Sequence, residues 1–376
     1  MRLALSRWGV MRTVGLLISP AETFASLVVG GITVAERQAR QWRRAGVETL
    51  LMVDPVPLTL LPTGTETVTT AALAQKLEPG DRVMVISSGV VIDERAITAM
   101  LAAPMQSLLV RDAALPGAGG VERLDALAFA AGLMVLPGAM VRRIAAEIGE
   151  WDLESTLIRI VAADSATTRI EFSAIPVYAP ARRRVVPLIW ARPETPAQAR
   201  DAGEILIAAS QKGCLDWPAR FLHPLPENLL VRWLAPTPVT PNMVTLFTGL
   251  VGIAAGAAFA TGWLWTALVL ALITGPLDGV DGKLARTRVE FSKWGDLEHL
   301  LDKLLEYGWY LCAAWYFASV SGSALAWAIA ALIIGPAIAE AVQGEFFRRL
   351  TGTQLDDAGV AERLQSGAVF QPAGRV

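Results

Sequence analysis

Asp278 and Asp281 stand three residues apart at the end of a long apolar run, and Glu298, Asp302 and Glu306 form a second acidic stripe just after Gly295. Residues three and four apart share a helix face. Each set therefore projects from one side of its helix, and the second can face back toward the first. Carboxylates at membrane depth are costly and are functional where they are kept. Converging hard oxygen ligands suit Mg²⁺, Mn²⁺ or Ca²⁺. Two such ions can clamp a diphosphate and activate an attacking hydroxyl.

The same stretch resembles the signature of the CDP-alcohol phosphotransferases, D-x2-D-G-x2-A-R-x8-G-x3-D-x3-D. Asp278, Asp281, Gly282, Ala285, Arg286 and Gly295 match it in register, with the eight-residue gap kept. Six fixed residues at fixed gaps make a specific match. The resemblance implies that Asp278 and Asp281 bind a pair of divalent ions, Mg²⁺ or Mn²⁺, which grip the diphosphate of a CDP-linked donor. It implies that Gly282 and Ala285 shape the CDP pocket, with Lys283 in the same cofactor-binding set, and that Arg286 contacts phosphate. In that family an acidic residue activates the acceptor alcohol, which attacks the β-phosphate and expels CMP.

The last two Asp of the signature do not match: strict register places His299 and Lys303 there. A one-residue slide gives Glu298 and Asp302, and a three-residue slide gives Asp302 and Glu306. Three residues nearly restore a helix face, since a turn takes about 3.6. Asp302 belongs to two of the three solutions and is the expected third metal ligand. His299 and Glu298 are the candidates for the catalytic base.

The elements that must carry these residues fall into two classes. Hydrophobic residues make up 53% of the 376, and the mean hydropathy is +0.44, so a membrane portion is expected. The formal net charge of −2 gives no basis for a nucleic-acid partner. Cys214 and Cys312 are too far apart and too few for a disulfide framework. Met1–Thr13 carries Arg2, Arg7 and Arg12, but the apolar run after it is too short for a signal peptide and reads as a first strand.

Residues 10–205 alternate strand-like runs (Thr13–Ser19, Thr49–Val53, Arg82–Ile86, Ser107–Val110, Gly132–Leu136) with helical ones such as Val34–Ala45 and Glu94–Ala102. That alternation predicts an α/β, Rossmann-like domain with a largely parallel sheet. The run GGITVAERQARQWRRAGVETLLMVD, followed by VMVISSGVVID and AGLMVLPGAMV, resembles nucleotidyltransferase domains of the sugar-nucleotide type. The chemistry of that family is not expected here. Ser19-Pro20-Ala21-Glu22-Thr23 replaces a glycine-rich basic loop that would cradle phosphates. Ser88-Gly89 and Trp190-Ala191-Arg192 occupy the places of its metal-binding Asp residues, and Asp93 lies four residues late. The domain, residues 1–210, is read as inactive.

Residues 211–240 form a proline-rich linker in which Trp217, Phe221, Leu225, Leu229 and Trp233 make an apolar face against Arg220, Glu227 and Arg232, as in a helix lying among headgroups. Residues 241–350 read as about four membrane helices, two fewer than the phosphotransferase family usually has, and 351–376 as a flexible tail. Each apolar stretch approaches the roughly 20 residues a bilayer requires. Lys283, Arg286, Arg288, Lys293, Arg348 and Arg349 gather on one side, which the positive-inside rule makes cytoplasmic. The expectation is a multi-pass protein of the inner, cytoplasmic membrane with its site and N-terminal domain on the cytoplasmic side. Its partners are a CDP-linked donor, an alcohol acceptor, the lipid bilayer and a second copy in a homodimer, without nucleic acid. The small residues Gly249, Gly252, Ala255 and Gly256 read as a helix-packing stripe. Two other readings remain: a non-catalytic membrane scaffold or nucleotide-binding subunit, and a bifunctional enzyme whose first domain makes its own CDP donor.

Overall fold

Alternating apolar strands build the N-terminal half around one mixed sheet. The computed structural model describes residues 12–18, 23–54, 61–114, 119–179, 182, 184–213, 220–291 and 295–351, with the side chains of 23–24 and 295–300 not described. The expected phosphate-loop residues Ser19–Glu22, Cys214, Trp217, the tail beyond Thr351 and the side chains of Glu298 and His299 lie outside these.

In chain order the first half comprises β1 (Thr13–Ile18), β2 (Val28–Val29), β3 (Ile32–Thr33), α1 (Val34–Arg44), β4 (Thr49–Val53), β5 (Glu66–Val68) and α2 (Thr70–Lys76). There follow β6 (Arg82–Ile86), β7 (Val91–Ile92), α3 (Glu94–Ala102), β8 (Ser107–Asp112), β9 (Glu122–Arg123), β10 (Ala128–Pro137), α4 (Gly138–Glu147) and α5 (Leu153–Ala163). Next are β11 (Thr168–Glu171), β12 (Tyr178–Ala179), β13 (Arg184–Val185), β14 (Trp190–Ala191) and α6 (Pro196–Ala209). The main sheet runs β11-β8-β10-β6-β1-β4-β5.

Side chains alternate across the sheet, as the two-residue period of a strand requires. Val14, Leu16 and Ile18 bury against Leu73, Val141 and Leu157 of α2, α4 and α5. Leu17, Met84 and Ile86 bury against Trp42 of α1 and Ile97 of α3. The result is a three-layer α/β/α domain, as expected. One strand departs from the parallel expectation: β10 runs antiparallel to both β6 and β8. Its run of apolar residues buries both faces, which hides strand direction from the sequence.

The second half is helical: α7 (Pro224–Leu234), α8 (Pro241–Ala260), α9 (Leu264–Arg288), α10 (Gly295–Ser321) and α11 (Leu325–Thr351). Among the described residues α8, α9 and α11 are long and apolar enough to cross a membrane. The acidic residues in the first turns of α10 set it apart in composition. Thr240 caps α8 by accepting from the Met243 amide, with Pro241 at the first helical position, where its missing N–H costs nothing.

Gly252 and Gly256 let α10 approach α8 closely. A Cβ at Gly252 would lie 3.0 Å from Leu305, and one at Gly256 would meet Trp309 and Cys312. Trp309 donates its Nε1–H to the Gly252 carbonyl at 2.7 Å. It is therefore an internal packing residue, unlike the exposed Trp263 and Trp265 near helix ends.

The two halves dock through a glycine turn. Gly31, between β2 and β3, has φ +89, and a Cβ there would sit 1.8 Å from the Ala235 carbonyl oxygen at the end of α7. Gly31→Ala combines a left-handed strain with a backbone clash. It is expected to cost about 3 kcal/mol or more, read as a lower unfolding temperature and faster protease cleavage near residue 235.

Candidate active site

The acidic pair sits in the C-terminal half of α9, just after Pro276, whose ring and missing N–H interrupt the helix ladder. Asp281 is buried, at 2% exposure. Its Oδ2 accepts from the Thr245 hydroxyl of α8 at 2.6 Å, and its Oδ1 accepts from the Gly282 amide at 2.5 Å. Asp278, one turn earlier, is half-buried. Gly282 matters for space: a Cβ there would meet Nη1 of Arg286 at 3.1 Å. Arg286 in turn donates Nε–H to the Ser210 carbonyl at 2.7 Å.

Two residues along a helix turn the side chain by about 200°, so Lys283 faces away from Asp281. Its ammonium pairs with Glu227 of α7 at 3.0 Å, donates to Asn228 Oδ1 at 2.7 Å and also donates to Gln211 Oε1. Both charged side chains of the Lys283–Glu227 pair are almost wholly enclosed, at 1% and 5% exposure. A Cβ at Gly279 would collide with Glu227, so that glycine makes room for the pair. The sequence reading put Glu227 on the polar side of an interfacial helix. The structure turns it inward onto α9 and leaves Leu225, Leu229 and Trp233 exposed on the outside of α7. Sequence reasoning missed Glu227, Asn228, Gln211, Ser210 and Thr245 as supports. Only the polar residues of the linker hinted at Gln211, Glu227 and Asn228, and nothing local marked Ser210 or Thr245.

The second acidic stripe is placed differently from the first. α10 packs chiefly on α8 and α11. Asp302 is half-buried, and Lys303 pairs with Glu306 at 3.1 Å on the exposed side. Glu298 and His299 lie on the first turn of α10, with their side chains outside the described set. Among the described residues no three His, Cys, Asp or Glu come together as a metal-binding group. This still fits Mg²⁺, which keeps several waters and binds through one or two carboxylates plus substrate phosphates. The donors on α9 are oxygen only, the set a hard divalent ion takes.

The strand ends of the N-terminal domain are put to structural use. Asp93 caps α3 by accepting from the Arg95 amide and pairs with the Arg95 guanidinium at 2.8 Å. These hydrogen bonds and the Arg95 charge outweigh its burial and hold the Asp93 carboxyl below its usual range. Ser87 and Ser88, after β6, are buried beside Glu154 of α5. Burial pushes the Glu154 carboxyl up, against weaker opposing pulls from the Ser87 hydroxyl and the Arg192 charge. The folded chain therefore holds this proton to higher pH than the unfolded chain. Stability is expected to fall as pH rises from the usual 4.5 through the raised value. Glu154→Gln is expected to flatten that slope in unfolding midpoints measured from pH 4 to 8.

A family model described as CDP-alcohol phosphatidyltransferase matches residues 238–349. Inner membrane protein YnjF of Escherichia coli (strain K12) is 39% identical over 101 residues, which are 25% of this chain and 49% of that protein. The bifunctional IPC transferase and DIPP synthase of Thermococcus kodakarensis is 30% identical over 141 residues, 35% of this chain and 32% of that one. The chain thus spans half or less of the length of these curated relatives. A structure of a Bacillus anthracis protein described as a glucose-1-phosphate thymidylyltransferase covers 51% of this chain and 94% of its own, at 9% identity and a TM-score of 0.37. That match is too loose to carry chemistry from one protein to the other. The family match runs from just before α8 almost to the end of α11 and takes in Asp278, Asp281, Gly282, Ala285, Arg286 and Gly295. Residues 238–349, in the helical half of this chain, thus match the CDP-alcohol phosphatidyltransferase domain, a family of transferases of substituted phosphate groups.

Proposed function

We propose that the protein is an integral membrane CDP-alcohol phosphotransferase that moves a substituted phosphate from a CDP-linked donor to an alcohol and releases CMP. The observation that carries this is Asp281: a buried carboxylate, held by Thr245 and its own neighbour's amide, within a six-residue signature. Asp278 and Asp281 hold a divalent ion, with Asp302 as the third ligand. When bound, Mg²⁺ or Mn²⁺ supplies charge neutralisation across the diphosphate. Arg286 offers its guanidinium to a phosphate, and Gly282 leaves the nucleotide room. The acceptor oxygen forms a bond to the β-phosphorus while the bond to the CMP oxygen breaks. Glu298 or His299 takes the acceptor's proton.

Membrane seating supports the same reading. The exposed Leu225, Leu229 and Trp233 of α7 lie among headgroups. An apolar groove of about 310 Å³ runs between α7 and α9, lined by Leu230, Leu272, Ile273 and Leu277 among others, and ends one residue from Asp278. An acyl chain fits such a wall, which supports CDP-diacylglycerol as a donor. The name of the Thermococcus relative keeps a polar cyclitol or polyol phosphate as the other substrate class. The N-terminal domain supports the membrane domain, because Asp93, the acid four residues past its expected metal position, is spent as the α3 cap. Homodimerisation and a cytoplasmic site complete the proposal.

The test is CMP release by the full chain in nanodiscs, with Mg²⁺ or Mn²⁺ and CDP-diacylglycerol or CDP-inositol, each against a panel of alcohols and polyol phosphates. Metal-dependent CMP from one pair is the expected result. Metal-dependent CDP binding without CMP from any pair selects the non-catalytic subunit instead. Cytidylyl transfer from CTP selects the bifunctional enzyme.

A further inference from the structure

Helix α1 of the N-terminal domain ends up against the C-terminal end of α9, some 250 residues away in the chain. Arg37 is buried, at 1% exposure, and its Nη2 donates to two carbonyls at once: Val29 at 2.9 Å and Thr287 at 2.5 Å. One turn on, Arg40 donates to the Arg288 carbonyl at 3.1 Å and pairs with Glu290 at 3.6 Å. One turn further, the Arg44 guanidinium lies 3.4 Å from the centre of the Phe291 ring. Gly30 keeps the approach open, since a Cβ there would sit 2.9 Å from the Thr287 methyl.

These contacts answer a specific need. The last carbonyls of a helix have no partner within it, and cations at that end oppose its negative dipole. The end of α9 is also strained. Val289 holds φ 51, a conformation a β-branched residue rarely adopts and keeps only when its surroundings impose it. α1 supplies both partners and constraint. From the other side Ser210, at the end of α6, accepts from Arg286 Nε through its carbonyl and lies 3.2 Å from the Thr287 hydroxyl through its own. Arg37, Ser210 and Thr287 therefore share one buried junction, next in sequence to Arg286.

The same helix fixes the other domain. Gln38 donates to the carbonyls of Ser87 and Val90 at 2.9 Å, and Gln41 to that of Ile92 at 2.9 Å. α1 is thus bolted to the sheet on one side and to α9 on the other.

We propose that α1 is the clamp that sets the orientation of the metal-bearing helix, and that Arg37 is a positioning residue for Arg286, acting through the Thr287–Ser210 junction on a nucleotide diphosphate. This rests on the phosphotransferase reading for the ligand, and on the contacts alone for the clamp. The N-terminal domain then works as a built-in subunit of the membrane site, without chemistry of its own.

The test uses the full chain in nanodiscs with two readouts: hydrogen exchange of the amides in residues 284–290, and affinity for CDP with Mg²⁺ by calorimetry. Arg37→Gln is expected to speed that exchange and to weaken CDP binding, each about tenfold, within the usual range of coupling between sites. Arg37→Lys keeps the charge but its side chain is shorter, so its ammonium reaches the two carbonyls less well and the variant is expected to recover only part of the affinity. Arg40→Gln, at a less buried contact, is expected to give the same changes at smaller size and stands in if Arg37→Gln does not fold. Arg159→Gln, on the surface and paired with Glu122, is expected to change neither. Unchanged exchange in Arg37→Gln and Arg40→Gln would overturn the clamp. Faster exchange with unchanged CDP affinity would overturn the positioning role. A wild-type protein that binds no CDP with Mg²⁺ would overturn the phosphotransferase reading and the role of Arg286 with it, while the exchange measurement still decides the clamp.

Discussion

Replacing Lys283 with Met is expected to destabilise the membrane domain by about 3–5 kcal/mol, because it leaves Glu227 charged, enclosed and unpaired. The pair joins α7 to α9 at 3.0 Å, with Asn228 and Gln211 completing the ammonium's hydrogen bonds. Met keeps most of the volume, so the loss is electrostatic and not a cavity effect. The partner change separates these causes. Glu227→Gln in the Lys283→Met background removes the stranded carboxylate and is expected to recover at least half of the loss. Thermal unfolding of the three variants in one detergent measures it. If Lys283→Met alone unfolds within a degree or two of the parent, the buried pair does not hold α7 in place.

Asp281→Asn is expected to lower kcat/KM for CMP release about a thousandfold or more, the equivalent of roughly 4 kcal/mol of lost transition-state stabilisation. The side chain is isosteric. The Thr245 hydroxyl can accept from the new amide as readily as it donates to the carboxylate, since its hydrogen rotates. The fold is therefore expected to survive within about 1 kcal/mol, and the loss to report charge. Rates measured beside unfolding temperatures check both halves. A variant that keeps a tenth of the parent's rate would remove Asp281 from the metal site.

What the sequence made legible is what depends on local spacing. Asp278, Asp281, Gly282, Ala285 and Arg286 lie on one helix, so a fixed register carries them. The strand at Arg82–Ile86 and the helix at Glu94–Ala102 form with the bounds their apolar patterns imply. The direction of β10 was not legible, because a strand buried on both faces shows no alternation. Glu227 read as an outward charge because nothing in its own segment announces Lys283, which lies in another helix. Nothing in the sequence around Arg37 announces its partner, for the same reason. Its partner carbonyl belongs to Thr287, and a backbone acceptor leaves no mark in composition. Periodicity alone leaves the relation between the acidic stripes open. The stripe on α10 can face α9 in pattern, yet α10 spends its small-residue contacts on α8 through Gly252 and Gly256. Helical period states which residues share a face, and packing decides what that face meets.

The most direct test of the central claim, that α9 carries a divalent ion site for a CDP-linked substrate, needs no knowledge of either alcohol. Mn²⁺ binding to the full chain is followed by electron paramagnetic resonance, with and without CDP. Saturable Mn²⁺ binding is expected that tightens when CDP is present, is weakened in Asp278→Asn and is lost in Asp281→Asn. Equal Mn²⁺ binding in the parent and in Asp281→Asn, unaffected by CDP, would contradict the claim.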